Sequence, residues 1–369
     1  MDYDFDPIVR QFQTKGELLD VSPITAGHIN DTFVIATGGA HRTRYVLQRI
    51  NHAVFGDPPR MMANIARVTH HIRTRVATTR PNTVSRQLTL VSTQNGQSYY
   101  RDPGGRFWRL YNFIEEAVTY DTPRSEGVAY EAARTFGWFQ RALIDLPGPP
   151  LHETIRGFHD TAGRLAAFQE VLEADAHNRA TSAKAEIEFL FEHAGMCRVL
   201  PRLIADGDIP TRIAHNDAKI NNVMLDRDTG AGVCVIDLDT VMPGLSIYDF
   251  GDLVRTATCP AAEDERDLSK VTVDVTMYEA LARGFAAEVS HFLTIAEREH
   301  LVFAGKLITF EQFVRFLTDY LAGDVYYKVH RDGHNLDRSR TQMKLLQSIL
   351  EEEAAMNDIV NRAFQDTER

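Results

Sequence analysis

No run of Lys and Arg occurs anywhere in the 369 residues, and with 40 basic against 51 acidic side chains the net charge is −11. A nucleic acid or an acidic membrane needs a clustered basic footprint, so this absence argues against both as partners. No apolar stretch approaches membrane-spanning length. The first residues, Met1-Asp2-Tyr3-Asp4-Phe5-Asp6, are acidic and lack the basic start and apolar core of a secretion signal. Cysteine is scarce. Cys197, Cys234 and Cys259 are too widely spaced for metal-ligand or redox pairing and are expected to be reduced thiols. These absences predict a cytoplasmic protein. There is also no internal repeat, no low-complexity tract and no feature that calls for an obligate protein partner. What remains is an ordinary composition, 44% hydrophobic and 25% charged, in a chain long enough for two lobes with sizeable cores. The negative charge would suit a cationic substrate and serves solubility equally well.

The first third is rich in β signals. Leu18 to Ile24, Thr32 to Thr37 and Arg44 to Ile50 alternate or run apolar between turn residues, as in a meander. Thr25-Ala26-Gly27-His28-Ile29-Asn30 is a small polar turn between two of these strands. A helix is predicted from about Met61 to Val76, with Ile65, Val68, Ile72 and Val76 at helical spacing. Two more strands are expected near Gln87 to Ser92 and Arg106 to Phe113, with hairpin-type turns at Gln94-Asn95-Gly96 and Asp102-Pro103-Gly104-Gly105. Ile114 to Thr119 reads as a connector. From Ser125 onward helices dominate, at Thr135 to Leu143, Gly163 to Leu172, Ala185 to Phe191, Leu301 to Tyr320 and through Leu345, Ile349 and Val360. The only clear strand signals in this half are Val223 to Leu225 and Val233 to Ile236. The predicted organisation is α+β and bilobal, in the manner of a protein kinase. Residues 1–114 would be a β-rich nucleotide-binding lobe, 115–123 a hinge, and 124–369 a larger helical lobe.

Immediately before those two strands lies the most informative stretch. In His215-Asn216-Asp217-Ala218-Lys219-Ile220-Asn221-Asn222 a His stands two residues before an Asp and an Asn five residues after it, the pattern of a kinase catalytic loop. The spacing has a mechanical reason. Asp217 must reach the hydroxyl being phosphorylated, while Asn222 turns back to share a divalent metal with Asp237 at the end of the next strand. A lone His-x-Asp would be weak evidence, but joined to Asn222, the hairpin and Asp237 it points to phosphoryl transfer with Asp217 as general base. His215 is expected to pack the loop against its lobe. Lys219 either meets the γ-phosphate or is a solvated lysine. Asp239, in Ile236-Asp237-Leu238-Asp239, either supports the metal indirectly or bonds the loop backbone. Asp249, in Tyr248-Asp249-Phe250-Gly251-Asp252, opens a probable helix and reads as a brace for the catalytic loop, not as a metal ligand.

On the β-rich lobe the turn with Gly27, His28 and Asn30 stands where a glycine-rich loop would cover the phosphates, although an ordinary turn would look the same. Kinases carry a phosphate-binding Lys on the third strand, paired to a Glu on the next helix. Here the strand offers Gln48 and Arg49, and the helix from Met61 has no acid at all. Losing both partners is self-consistent, because a Glu without its Lys would be an unpaired charge in the cleft.

The loop from His215, the run Ile236-Asp237-Leu238-Asp239-Thr240-Val241-Met242-Pro243-Gly244 and Asp249-Phe250-Gly251-Asp252 resemble the aminoglycoside phosphotransferase-like, or choline kinase-like, superfamily. The segments Gly27 to Asn30, Tyr45 to Gln48, Arg315 to Tyr326, His334-Asn335-Leu336 and Arg340-Thr341-Gln342 resemble its subgroup of bacterial N-acetylhexosamine 1-kinases. This implies ATP as co-substrate, Mg²⁺, and phosphorylation of the anomeric hydroxyl of N-acetylglucosamine or N-acetylgalactosamine. Asp217 would be the base, Asn222 and Asp237 the metal ligands. Gln48 matches the subgroup, whereas Ala66 stands where a Glu is found. The resemblance also implies Arg315 and Tyr326 as sugar-binding residues, with His28 completing the pocket. A guanidinium and a tyrosine offer a neutral sugar directional hydrogen bonds and a flat face; a surface charge and a core tyrosine are the plainer readings of the two. Two rival functions are a kinase of a cationic acceptor, such as an aminoglycoside or choline, and a non-catalytic nucleotide- or sugar-binding regulator.

Overall fold

The computed structural model describes residues 3–24, 29–39, 41–79 and 81–367. After a short helix, α1 (Phe5–Val9), come β1 (Glu17–Ile24), β2 (Asp31–Gly38) and β3 (Thr43–Ile50), then helix α2 (Pro58–Thr79), then β4 (Tyr100–Arg101) and β5 (Phe107–Asn112). The strands form one antiparallel sheet in the order β1-β2-β3-β5-β4. Alternation along β3 and β5 sorts its two faces. Tyr45, Leu47, Trp108 and Leu110 join Ile8, Val9 and Phe12 in a small core. Val46, Ile50 and Tyr111 face the opposite way, into the main core with Met61, Met62, Ile65 and Val68 of α2. Gln48 and Arg109, paired across the β3–β5 ladder, lie on that second face.

Helix α2 begins at Pro58, three residues before the predicted start, because proline suits a first turn whose amide needs no partner. The strand expected at Gln87 to Ser92 does not form. A 3₁₀ stretch from Pro81 to Arg86 leads into it, and it touches β5 through a single bridge at Leu90–Tyr111. The missing edge is taken by β4, whose two residues hold too little pattern to be read from sequence.

The connector contains β6 (Ala117–Val118), and the helical part follows with α3 (Glu126–Leu143), α4 (Thr161–Ala174), α5 (Lys184–His193) and α6 (Val199–Asp206). Four short strands interrupt it: β7 (Arg212–Ala214), β8 (Val223–Asp226), β9 (Gly232–Val235) and β10 (Met242–Gly244). β8 and β9 are the predicted hairpin, with β6 added to its edge. β7 and β10 form a second small ladder not anticipated from sequence. The chain closes with α7 (Ser246–Ala257), α8 (Val275–Val289), α9 (Ile295–Glu299), α10 (Leu301–Leu321), α11 (His334–Glu351) and α12 (Glu353–Thr367).

Helix α8 was not expected, yet it has an N-cap: Asp274 accepts the amides of Thr276 and Met277 at 2.9 and 3.0 Å. Helices α7 and α10 pack with backbones in contact. A Cβ at Gly251 would lie 2.5 Å from the Ala304 carbonyl oxygen, so only glycine permits the approach. Phe168, Leu190, Phe313 and Leu317 centre a second core under α4, α5 and α10. All three cysteines are buried and free, as reduced thiols require. Among the described residues no helix is long and apolar enough to cross a membrane.

Candidate active site

The two small ladders set the spacing of the site. In the β8–β9 hairpin Val223 stands opposite Val235, and the Ile236 amide donates to the Asn222 carbonyl at 2.9 Å. Asp237, the next residue, therefore emerges beside Asn222. The β7–β10 ladder, with Ala214 opposite Met242, fixes the start of the loop. Asn216 and Asp237 both adopt left-handed backbone, φ 65° and 59°, which Asn and Asp tolerate better than most residues.

His215 is fully buried. Its Nε2 lies 2.9 Å from the Ile236 carbonyl oxygen, which only accepts, so Nε2 carries the proton and Nδ1 accepts the Asp217 amide at 3.3 Å. The rings of Phe136 and Phe139 meet it edge-on. The loop is held from below by Asp249 in the first turn of α7. Its carboxylate accepts the amides of His215 and Asn216 at 3.0 and 2.8 Å and the Gln140 side chain at 2.6 Å. Burial pushes the Asp249 carboxyl up despite those donors and the His215 ring. Asp249→Ala would strand three buried donors. We expect it to cost about 3 kcal/mol, read as a lowered urea midpoint.

Asp217 faces Lys219, whose Nζ lies 3.1 Å from Oδ2. Asn222 Nδ2 donates to the Asp217 carbonyl at 2.8 Å and to its Oδ2 at 3.3 Å. Burial alone would raise the Asp217 carboxyl, but the Lys219 ammonium outweighs it and holds the group below the usual carboxylate range. In turn Asp217 raises the Lys219 ammonium. The arrangement is an ionised acceptor with a cation at its side, suited to receiving a hydroxyl proton.

Asp237 makes no hydrogen bond or ion pair among the described residues, and its side chain opens onto the cleft. Partial desolvation in the cleft and then the charges of Asp239 and Asp217 push its carboxyl up to about 6. Because both contacts of Asn222 use its amide nitrogen, its carbonyl oxygen remains for a ligand. One unpaired carboxylate and one amide oxygen suit a hard cation that completes its shell with phosphate and water, as Mg²⁺ does. No group of three or more His, Cys, Asp and Glu side chains that could hold a metal by themselves occurs among the described residues.

Asp239 is not open in this way. Both of its oxygens accept from the Arg109 guanidinium, Nη2 at 3.0 Å, and Oδ2 also accepts Asn30 Nδ2 at 2.8 Å. Gln48 accepts Arg109 Nε at 2.8 Å and donates to Thr32 Oγ1 at 3.1 Å. Asn30 is thus tied to the metal loop, and both ends of the Gln48 amide are engaged. Gly27 and His28 lie outside the described residues. Arg109 had no role in the sequence reading, though a signal existed: it is the one charge inside the apolar run Phe107-Trp108-Arg109-Leu110-Tyr111.

Arg315 and Tyr326 fall in one cluster around Tyr327. The Arg315 guanidinium lies 6.0 Å from the Phe158 ring and 5.7 Å from that of Tyr327, and Nη1 donates to Gln312 Oε1 at 3.1 Å. Tyr326 is 64% exposed and meets Tyr327 edge-on at 4.8 Å. Asp319 shapes this loop by accepting the amides of Val325, Tyr326 and Tyr327. His159, also unforeseen, joins the cluster to the catalytic loop. One ring nitrogen lies 2.9 Å from the Asn216 carbonyl oxygen, the other 3.0 Å from Glu311 on α10. Burial opposes its charge, but Glu311 outweighs it and raises the imidazole above its ordinary value. Two acceptors around one imidazole require both N–H groups, so His159 is a cationic clamp.

The sequence pattern of the family described as Phosphotransferase enzyme family (APH) matches residues 20–282, well over half of the chain. The chain belongs to this family. Solved structures agree on the fold. The phosphotransferase resembles amicoumacin kinase hAmiN, solved with AMP-PNP, Ca²⁺ and Ami, at TM-score 0.59 and 12% identity over 93% of each chain. An aminoglycoside phosphotransferase from Alicyclobacillus acidocaldarius matches at TM-score 0.55 and 12% identity, covering 98% of this chain and 95% of that one. Choline kinase from Cryptosporidium parvum matches at 0.51 and 12%, covering 99% and 98%. The architecture is therefore the kinase-like, bilobal α+β fold.

Proposed function

We propose that this phosphotransferase moves the γ-phosphoryl group of ATP, with Mg²⁺, to the anomeric hydroxyl of an N-acetylhexosamine, giving the sugar 1-phosphate. Asp217 receives the hydroxyl proton. Asn222 and Asp237 hold the metal, which supplies charge neutralisation and orientation to the phosphates. Lys219 keeps Asp217 ionised and lies at hand for phosphate. Asn30 and Gln48 order the sheet's edge of the nucleotide site, and Gly27 and His28 are proposed to contact phosphate. In this reading residues 1–114 are the nucleotide-binding lobe, 115–123 the hinge and 124–369 the helical lobe. Catalysis rests on positioning and charge stabilisation more than on covalent chemistry.

The observation that supports the acceptor assignment is the make-up of the Arg315 cluster, which His159 joins to the catalytic loop. Arg315 stands there with Arg164 and the aromatic rings of Phe158, Tyr326 and Tyr327. The buried acid there, Glu311, is spent on His159 and on Thr161 Oγ1 at 2.7 Å. In this cluster a cationic acceptor would meet two guanidinium groups of like charge, whereas a neutral sugar finds guanidinium donors and flat aromatic faces. A panel assayed by coupled ADP release decides between them. We expect N-acetylglucosamine or N-acetylgalactosamine to exceed an aminoglycoside and choline by at least tenfold in kcat/KM. A cationic acceptor turning over fastest would sink the assignment. ATP binding without ADP release on any acceptor would point to a non-catalytic binder.

A further inference from the structure

Protein kinases fix their phosphates with a strand lysine paired to a helix glutamate. This chain has Gln48 on that strand and no Asp or Glu anywhere in α2. The structure holds a different buried ion pair nearby. Arg109 and Asp239 are 1% and 2% exposed and joined through two parallel contacts. Burial works against the Arg109 charge, and the Asp239 carboxylate more than offsets it, so the guanidinium stays protonated. We propose that Arg109 and Asp239 are a positioning pair that locks the metal-bearing loop to the sheet in place of the strand lysine and helix glutamate.

The bonding inventory separates positioning from substrate contact. Arg109 donates through Nε to Gln48 and through both Nη atoms to Asp239, while the Met62 sulfur of α2 lies 4.0 Å from Nη1. At 1% exposure no donor is turned to the cleft. Asp239 has both oxygens occupied, so it leaves the metal to Asp237, two residues earlier. Its second partner, Asn30, accepts the Asn51 amide at 3.0 Å. One carboxylate thereby joins β5, the turn before β2, the end of β3 and the loop that begins with the left-handed Asp237. A buried pair is weak evidence for stability, since apolar replacements of similar volume are often neutral or stabilising. Its worth here is geometric: it over-determines a loop whose first residue has an uncommon backbone.

The inference rests on Asp237 as a metal ligand and holds whichever hydroxyl accepts the phosphate. Its test is the double substitution Arg109→Met with Asp239→Leu, which removes both charges together. Three quantities are measured on the full chain: urea midpoint, Mn²⁺ affinity with AMP-PNP by electron paramagnetic resonance, and turnover. We expect the midpoint to hold, Mn²⁺ affinity to weaken at least tenfold, kcat to fall at least tenfold and acceptor KM to stay within threefold. Mn²⁺ affinity and kcat within twofold of wild type would overturn the pair's role. Should the double variant not fold, Arg109→Lys keeps the buried charge but loses the fork. There we expect Mn²⁺ affinity to weaken several-fold, and no change overturns the inference. Asp237→Asn is the control. If Asp237→Asn binds Mn²⁺ normally, the metal assignment falls and takes this inference with it; if it alone loses Mn²⁺, only the pair's role fails.

Discussion

Asp217→Asn should leave the protein folded and able to bind nucleotide, with kcat lower by about 10²–10⁴, the usual contribution of a general base. The substitution keeps shape. Its oxygen can still accept from Lys219 and from Asn222, which contact the wild-type Oδ2 at 3.1 and 3.3 Å, while the charge that takes the hydroxyl proton is gone. The loop itself does not depend on that carboxylate. It is held by Asp249 below and by the His215 bond to Ile236. Loss of rate without loss of stability is thus the signature expected, read by coupled ADP release beside a urea titration. A kcat within threefold of wild type would remove Asp217 from the chemistry.

Asp237→Asn should abolish metal-dependent turnover, lowering kcat by about 10³, which corresponds to several kcal/mol of lost charge stabilisation. Asparagine is the informative choice. It tolerates the left-handed backbone at φ 59°, so the charge is tested apart from the strain that alanine would add. A pH effect accompanies it in the wild type. Desolvation in the cleft and neighbouring carboxylates push the Asp237 carboxyl up to about 6, and a cation binds the carboxylate, not the acid. Metal affinity should therefore be full well above pH about 6 and fall as pH drops through it, with a proton released on binding near that pH. The metal-free protein has the opposite slope: a raised carboxyl pKa favours the fold at low pH, and that contribution is lost as pH rises from about 4 to about 6. Metal titrations at pH about 5.5 and 7.5, wild type against Asp237→Asn, test both statements. Equal affinity at the two pH values would contradict them.

The elements that sequence revealed are those with long, one-sided patterns. β1, β2, β3 and β5, the hairpin of β8 and β9, and α3, α4, α10 and α11 each carry a run of apolar residues long enough to show a pattern. Elements of two or three residues, β4, β6, β7 and β10, carry no period to read; their pairing is decided by tertiary neighbours. The expected strand at Gln87 to Ser92 failed because strand-like residues alone do not supply a partner along their full length. At the site, Asp217, Asn222 and Asp237 were legible because their spacing along one hairpin is local. Arg109, His159 and Glu311 were not, since each acts on a residue far away in the chain and no spacing announces it. Arg315 and Tyr326 entered through family resemblance, and the geometry by which Asp319 presents Tyr326 could be seen only in three dimensions.

The ties that shape the cleft also say something about how the chain must assemble. Asn30 and Asp239 are 209 residues apart, Arg109 and Asp239 130, and His159 and Glu311 152. Each closes a long loop, and the entropic cost of doing so grows only slowly with length. Proximity in sequence is therefore no guide to which half owns the site. A chain interrupted between β9 and α10 would separate Asp237 and Asp239 from Glu311 and Arg315, leaving neither piece with both sides of the cleft. Function in this protein belongs to contacts between distant parts of the chain, not to any one segment of it.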